Sequence, residues 1–289
     1  MYNIEQYLYP QQPQYIELYN QYIQYGNAFI KNKKVLFLGL CRDVEDIIES
    51  NLSKISKLGE KFQEYKIILF ENDSKDKTNS IIKNLAINNP NIHLISQTLN
   101  RQKYGPCQDK QRIIALAEYR NLLKKYAKEH HINYDYVIVI DTDFLDFSIN
   151  GVINSFGYFA TNSNIGAIAG NSFTMNPCFH NNKSSLWNYD SWAYREYWWN
   201  NWQIESFNEL LNYDRMVWFG YYIPPVGLPP KQVNSAFGGA CIYDSKYYFS
   251  NVDYSSFDCE HVCFHYNLYV NNPNFQLFIN PSQIMLLKK

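Results

Sequence analysis

The sequence predicts a single α/β domain: a doubly wound, mostly parallel sheet flanked by helices. Three observations carry this reading. Short, continuous apolar runs alternate four times with stretches of helical periodicity, as expected of strands covered on both faces. Polar residues follow the C-terminal end of each run, where open α/β sheets bind ligands. The 289 residues suffice to bury a core without disulfides or metals.

Residues 1–33 form a Tyr-rich lead-in. After Pro13, Ile16, Tyr19, Tyr22 and Ile23 recur at helical spacing, and Gly26 is the expected C-cap. Residues 35–40 (VLFLGL) read as the first strand, followed by the polar turn Cys41-Arg42-Asp43 and a helix from about 44 to 58, ended by Gly59. Residues 66–70 are the second strand, which stops at Glu71-Asn72-Asp73. A helix then runs to about residue 88, and 92–96 is the third strand, with Ser96 and Gln97 at its end. A loop (97–109) precedes a helix from about 109 to 128. Residues 136–140 are the fourth strand, ending at Asp141-Thr142-Asp143.

The second half is less regular. Residues 165–172 read as a strand, and 176–230 are rich in Trp, Tyr and Asn, with prolines clustered at 224–230. Residues 235–243 suggest a Gly-Gly turn entering a strand, 258–269 a helix opened by acidic residues, and 275–279 a last strand.

Composition excludes several classes. A net charge of -1 argues against a dedicated nucleic-acid binder. No apolar run reaches the ~18 residues of a membrane-spanning helix. The N-terminus lacks the basic and apolar regions of a secretory signal, so a cytoplasmic location is expected. The 6 cysteines are scattered without a CxxC pair and are expected to be reduced thiols.

Asp141-Thr142-Asp143 is the centre of the chemistry. Two carboxylates two residues apart, just past a buried strand, can converge on one divalent ion where a loop breaks the alternation. Carboxylate oxygens suit Mg²⁺ or Mn²⁺, which keep open positions for water and phosphate. The competing reading is a capping turn, with Asp143 capping the next segment. Asp146 reads as a surface residue.

Five features in order resemble the GT-A superfamily of nucleotide-sugar-dependent glycosyltransferases. They are the first strand with its turn (35–43), the turn at 71–78 (ENDSKDKT), the helix carrying Arg112, Arg120 and Asn121, the Asp141-Thr142-Asp143 triplet, and Phe237-Gly238-Gly239 followed by Asp258-Cys259-Glu260-His261. They span about 35–282. The Arg112/Arg120-Asn121 helix and Tyr189-Asp190-Ser191-Trp192-Ala193 are further similar to fungal capsule-associated α-mannosyltransferases, which usually carry a membrane anchor.

The resemblance implies a GT-A, Rossmann-like domain at 34–289, with a nucleotide-sugar-binding half (34–145) and an acceptor-binding half (146–289). It implies a metal-dependent hexosyltransferase that uses Mn²⁺ or Mg²⁺ and a UDP- or GDP-sugar, with a glycan or glycosylated acceptor. Leu40, Arg42, Glu71 and Asp73 would hold the nucleoside. Arg112 and Arg120, two helical turns apart on one face, would approach the diphosphate, and Asp141, Thr142 and Asp143 the metal-bound donor. Gly238 and Gly239 would let backbone come close to sugar or acceptor. Glu260 first, and Asp258 second, would take the acceptor proton in an inverting enzyme. The metal-binding histidine that many members carry after the last strand is absent, and His261 is the candidate replacement, with His265 behind it.

All 6 tryptophans fall between 187 and 218, where an acceptor groove is expected, with Asp190 and Trp192 as its contacts. Two other readings stand beside the transferase. One is a nucleotidyltransferase, although Gly39-Leu40-Cys41-Arg42 is not the basic, Gly-rich loop it needs. The other is a non-catalytic carbohydrate-binding protein on a transferase fold.

Overall fold

The computed structural model describes residues 8–104, 109–177, 184–196 and 224–287. In chain order the elements are α1 (Pro13–Ile30), β1 (Lys34–Cys41), α2 (Ile48–Gly59), β2 (Glu64–Asn72), α3 (Thr78–Asn88), β3 (Ile92–Gln97), α4 (Lys110–His131), β4 (Tyr136–Ile140), β5 (Phe144–Phe147), α5 (Ile149–Thr161), β6 (Ala167–Pro177), β7 (Ser184–Asn188), β8 (Arg195–Glu196), β9 (Lys231–Ser235), β10 (Ala240–Asp244), α6 (Ser245–Tyr248), α7 (Glu260–Asn271) and β11 (Leu277–Leu287). Among the described residues no helix is long and apolar enough to cross a membrane. Trp198, Trp199, Trp202 and Trp218, His180, Cys107 and Cys178 lie outside the described residues. The other four cysteines are buried free thiols.

One mixed sheet has the order β3-β2-β1-β4-β10-β6-β11-β9-β8. β3, β2, β1 and β4 are parallel, as their continuous apolar runs predict, and β10 joins β4 antiparallel. The chain steps outward from β1 to β3, then returns to place β4 on the other side of β1. The direction of winding therefore reverses between β1 and β4, the place where open α/β sheets bind ligands.

Strand alternation divides the core into two layers. Leu36, Leu38, Val137 and Val139 face α4 and α7, while Val35, Phe37, Ile138 and Ile140 face α2 and α5. Asp109 starts α4 as an N-cap, accepting from Gln111 N–H at 2.7 Å, and Ser148 does the same for α5 from Gly151 at 2.9 Å.

The structure moves the ends of two elements in particular. Gly26 does not end the first helix, which runs on to Ile30. It is instead a crossing residue: a Cβ there would lie 2.0 Å from the Ile153 carbonyl of α5, and one on Gly157 would lie 2.0 Å from the Tyr22 carbonyl. The missing side chains let two helix backbones touch, with Tyr22 stacked on Tyr158 beside them at 3.7 Å. The last strand also continues past Ile279. Its polar stretch Asn280-Pro281-Ser282-Gln283 shifts register and is buried, because α5 supplies partners: Asn280 donates to Asn154 and Ser155, and Ser155 to Gln283.

Candidate functional site

The first two strand ends are laced together. Glu71 is buried, and its carboxylate accepts from Ser74 N–H, Asn79 and Ser96 at 2.6–2.9 Å. Burial works against its charged form, but these hydrogen bonds outweigh it and hold the pKa below the usual range. Asp73, at φ +54°, accepts from the amides of Leu99, Asn100 and Arg101 at 2.8–3.1 Å and from Asn72 at 3.0 Å. Four bonds fill the four lone-pair positions of its carboxylate. Arg42 donates to the carbonyls of Arg101 and Gln102, and Asp43 accepts from Lys75 N–H at 2.7 Å.

These contacts alter the sequence reading of Arg42, Glu71 and Asp73 as direct nucleoside ligands. Most of their polar atoms bond the loops at 71–79 and 97–102. Leu40 contributes through its backbone: its carbonyl accepts from the Thr142 hydroxyl at 2.8 Å. Thr142 is 2% exposed, so its hydroxyl anchors the acidic turn and faces no ligand.

Past β4, Asp141 is partly exposed and Asp143 is exposed. Asn51, a buried polar residue on the apolar face of α2, holds the turn between them by donating to the Thr142 and Phe144 carbonyls at 2.9 and 2.8 Å. Sequence reasoning missed Asn51, although a polar residue among Ile48, Leu52 and Ile55 was the available signal. Asp141 N–H donates to the Gly239 carbonyl at 2.8 Å, and Gly238 N–H donates to Asp190 at 2.6 Å. The Gly-Gly turn thus ties the Asp pair to Asp190. Gly238 has φ +59°, and a Cβ on it would lie 2.0 Å from the Gly170 carbonyl. Its lack of a side chain serves close backbone packing against β6, which corrects the expected role of making room for a sugar.

Two buried arginines hold the N-terminus of α7. Arg120 Nε donates to Glu260 at 3.2 Å, and its Nη2 lies 3.6 Å from Asp141. Arg195 Nη2 lies 2.9 and 2.8 Å from the two Asp258 oxygens. Asp258 is fully buried and Arg195 nearly so. This corrects Asp258 as a candidate base, since its carboxylate is closed off by an arginine. Arg120, expected to approach the diphosphate, is buried between two carboxylates.

His261 is buried and stacks on Phe237 at 3.7 Å, with neither ring nitrogen hydrogen-bonded. Burial and the Arg120 charge hold its pKa well below the usual range, so it is neutral. Among the described contacts, none joins it to Asp141 or Asp143. His265 is a core residue, bonded to Ser235 and Tyr243 at 2.8 and 2.7 Å.

Arg112 lies over the Trp192 ring at 5.7 Å. The other described arginines all donate to protein oxygens, whereas Arg112 donates to none. Trp192 is half-buried. Asp190 is half-buried, and burial pushes its pKa up to about 6 despite the amides that it accepts from. Asp141 is also held well above the usual carboxylate range, by burial and then by the like charge of Asp143.

A divalent cation fits this donor set. The charges of Asp143, Asp190 and Glu260 all act to raise the Asp141 pKa, while Arg120 offsets Asp141, and Arg112 and Lys103 offset Asp143. Among the described residues no group of three or more His, Cys, Asp and Glu side chains forms a ready-made cage. The Asp pair would therefore supply only part of a cation's ligands, and Mg²⁺ or Mn²⁺ would complete the set with water and phosphate oxygens.

No protein-family model matches the sequence, and no curated protein matches it. Solved structures do match. The structure of GalNAc-T7 with UDP, GalNAc and Mn²⁺ aligns over 89% of this chain and 44% of its own, with a TM-score of 0.55 and 11% identity. Staphylococcus aureus TarS, residues 1–349 in complex with UDP-GlcNAc, aligns over 89% of this chain and 58% of its own, with a TM-score of 0.50 and 14% identity. The chain spans about half the length of these two structures. At such identities the likeness is one of fold. On its strand order, its acidic turn after β4 and these alignments, the chain has the GT-A glycosyltransferase fold.

Proposed function

We propose that this chain is a metal-dependent glycosyltransferase that moves a sugar from a UDP- or GDP-sugar to a hydroxyl of a glycan acceptor. The observation that carries this reading is the Asp141/Asp143 pair just past the C-terminal end of β4 in a GT-A fold, where the Arg120 ion pair reaches only Asp141. Asp141 and Asp143 hold Mn²⁺ or Mg²⁺, which when bound neutralises the departing diphosphate. Arg112 is the described arginine without a protein oxygen to serve, so its fork is free to pair with phosphate oxygens. The nucleoside rests against the wall built by Leu40, Arg42, Glu71 and Asp73.

On the acceptor side, Asp258 and Glu260 are held by arginines, and Asp190 is the accessible carboxylate. A pKa of about 6 suits a general base at neutral pH. Asp190 is therefore assigned to the acceptor hydroxyl, with Trp192 as an apolar surface for the sugar ring. Glu260 orients the site through Arg120.

The test is donor hydrolysis and thermal shift with UDP- and GDP-sugars and Mn²⁺, on the wild type and on Asp143→Ala. Metal-dependent release of UDP or GDP that disappears in Asp143→Ala supports the reading. Nucleotide release that survives the substitution refutes the metal assignment, and a protein that binds glycans but no nucleotide is a carbohydrate-binding module.

A further inference from the structure

Arg120 is one cation between two anions. Its side chain is 7% exposed, deeper than that of Asp141 at 29%, and comparable with that of Glu260 at 5%. Phe237 covers it, with the guanidinium carbon 5.1 Å from the ring centroid. A guanidinium cannot shed its proton in a protein, and burial denies it water, so its charge is shared between the two carboxylates that touch it. Whatever offsets the charge of one carboxylate leaves more of Arg120 for the other. No other cationic side chain lies within 4 Å of Asp141 among the described residues, and the other ionisable nitrogen beside Glu260 is on the neutral His261.

We infer that Arg120 couples the Asp141/Asp143 pair to Glu260: a divalent cation on the pair turns Arg120 toward Glu260, and Arg120 in turn limits how tightly the pair holds the cation. Arg120 is thus a positioning residue that acts through the carboxylates on either side of it. The N-terminus of α7, and with it the acceptor side of the site, is then drawn tight when the cation is present. The inference rests on the glycosyltransferase reading only in that the pair holds a cation.

The test needs no turnover. Mn²⁺ is titrated alone and with UDP or GDP, and binding is read from loss of the free-ion electron paramagnetic resonance signal. Arg120→Gln removes a positive charge beside Asp141 and should bind Mn²⁺ about tenfold more tightly, in the range of couplings measured within one ion-pair network. Glu260→Gln throws the whole charge of Arg120 onto Asp141 and should weaken binding by about tenfold. In the double variant the effect of Glu260→Gln should shrink to under about threefold, because the mediator is gone. Arg120→Lys keeps the charge and should restore near wild-type affinity.

If Arg120→Gln does not fold, Glu260→Gln and Arg120→Lys still decide the matter, since both preserve shape or charge. Unchanged Mn²⁺ affinity in Glu260→Gln, or a Glu260→Gln effect as large in the double variant as in the wild type, overturns the coupling and leaves the functional reading standing. Absence of Mn²⁺ binding by the wild type in every arm overturns the functional reading itself, and the coupling with it.

Discussion

Asp73 shows how a residue chosen for ligand chemistry can serve architecture. Burial works against its charge, but Asn72 and the amides of residues 99–101 outweigh that and hold its pKa at about 2. The sign follows from linkage. The folded value lies below the ordinary ~3.9, so the stabilisation is complete above that value and is lost as pH falls through about 2. Asp73→Asn should cost on the order of 2 kcal/mol at pH 7 and flatten the acid limb of stability between about pH 5 and 2. Urea unfolding at a series of pH values checks this, and an unchanged acid limb would contradict it. Gly238 is constrained in a different way. An alanine there meets both a left-handed backbone and the Gly170 carbonyl, so Gly238→Ala should destabilise by about 3 kcal/mol or more and disturb the Asp141 and Asp190 contacts on either side. Thermal unfolding would register it as a large drop in Tm.

At the scale of elements, helix α1 packs on α5 through glycines, and α7 is held by ion pairs. Gly157→Ala places a methyl group against the Tyr22 carbonyl, so α1 must move away. The expected cost is about 2–3 kcal/mol, with hydrogen exchange quickening first along α1. Uniform exchange across the whole fold would show instead that α1 unfolds only with the domain. The Arg195–Asp258 pair offers a sharper contrast. Arg195→Met removes the guanidinium that touches both oxygens of the buried Asp258 carboxylate, which should cost about 3 kcal/mol. Arg195→Met combined with Asp258→Leu should recover part of that loss, because the cost lies in a buried carboxylate that has lost its arginine. Equal losses in the single and double variants by urea unfolding would refute this.

The elements differ in how readable they were. β1 to β4 are buried on both faces, so their apolar runs and turn residues were legible and their ends fell within a few residues of the expected places. β5, β8 and β9 are short and are defined by partners far away in sequence, so no local period marks them. Helix α5 carries Gly151 and Gly157 where backbone must approach closely, which weakens its helical signature while being the reason it packs. The polar stretch 280–283 reads as the end of a strand because its burial depends on partners in α5.

At the scale of the whole molecule, binding and stability are one measurement. A cation and a nucleoside diphosphate that bind only the folded chain should raise Tm, by about 2.7 kcal/mol of added stability at a hundredfold excess over Kd. Asp143→Ala should abolish the Mn²⁺-dependent part of that shift while leaving the apo Tm nearly unchanged, because Asp143 is exposed and forms no ion pair among the described residues. A shift of equal size in the variant would place the cation elsewhere.

Read alone, the sequence determined the class of fold, the four parallel strands and the acidic turn that ends the last of them. Those features are local: apolar runs, turn residues and a carboxylate pair are each written within a few positions. Only the tertiary structure decided which of the candidate groups are open. Asp258 is closed by Arg195, 63 positions away, and Glu260 by Arg120, 140 positions away, while Asp190 and Arg112 are half-buried and in no ion pair among the described residues. A carboxylate's role depends on whether a counter-charge reaches it through a low-dielectric interior, and that is a property of packing between distant segments that no spacing along the chain encodes.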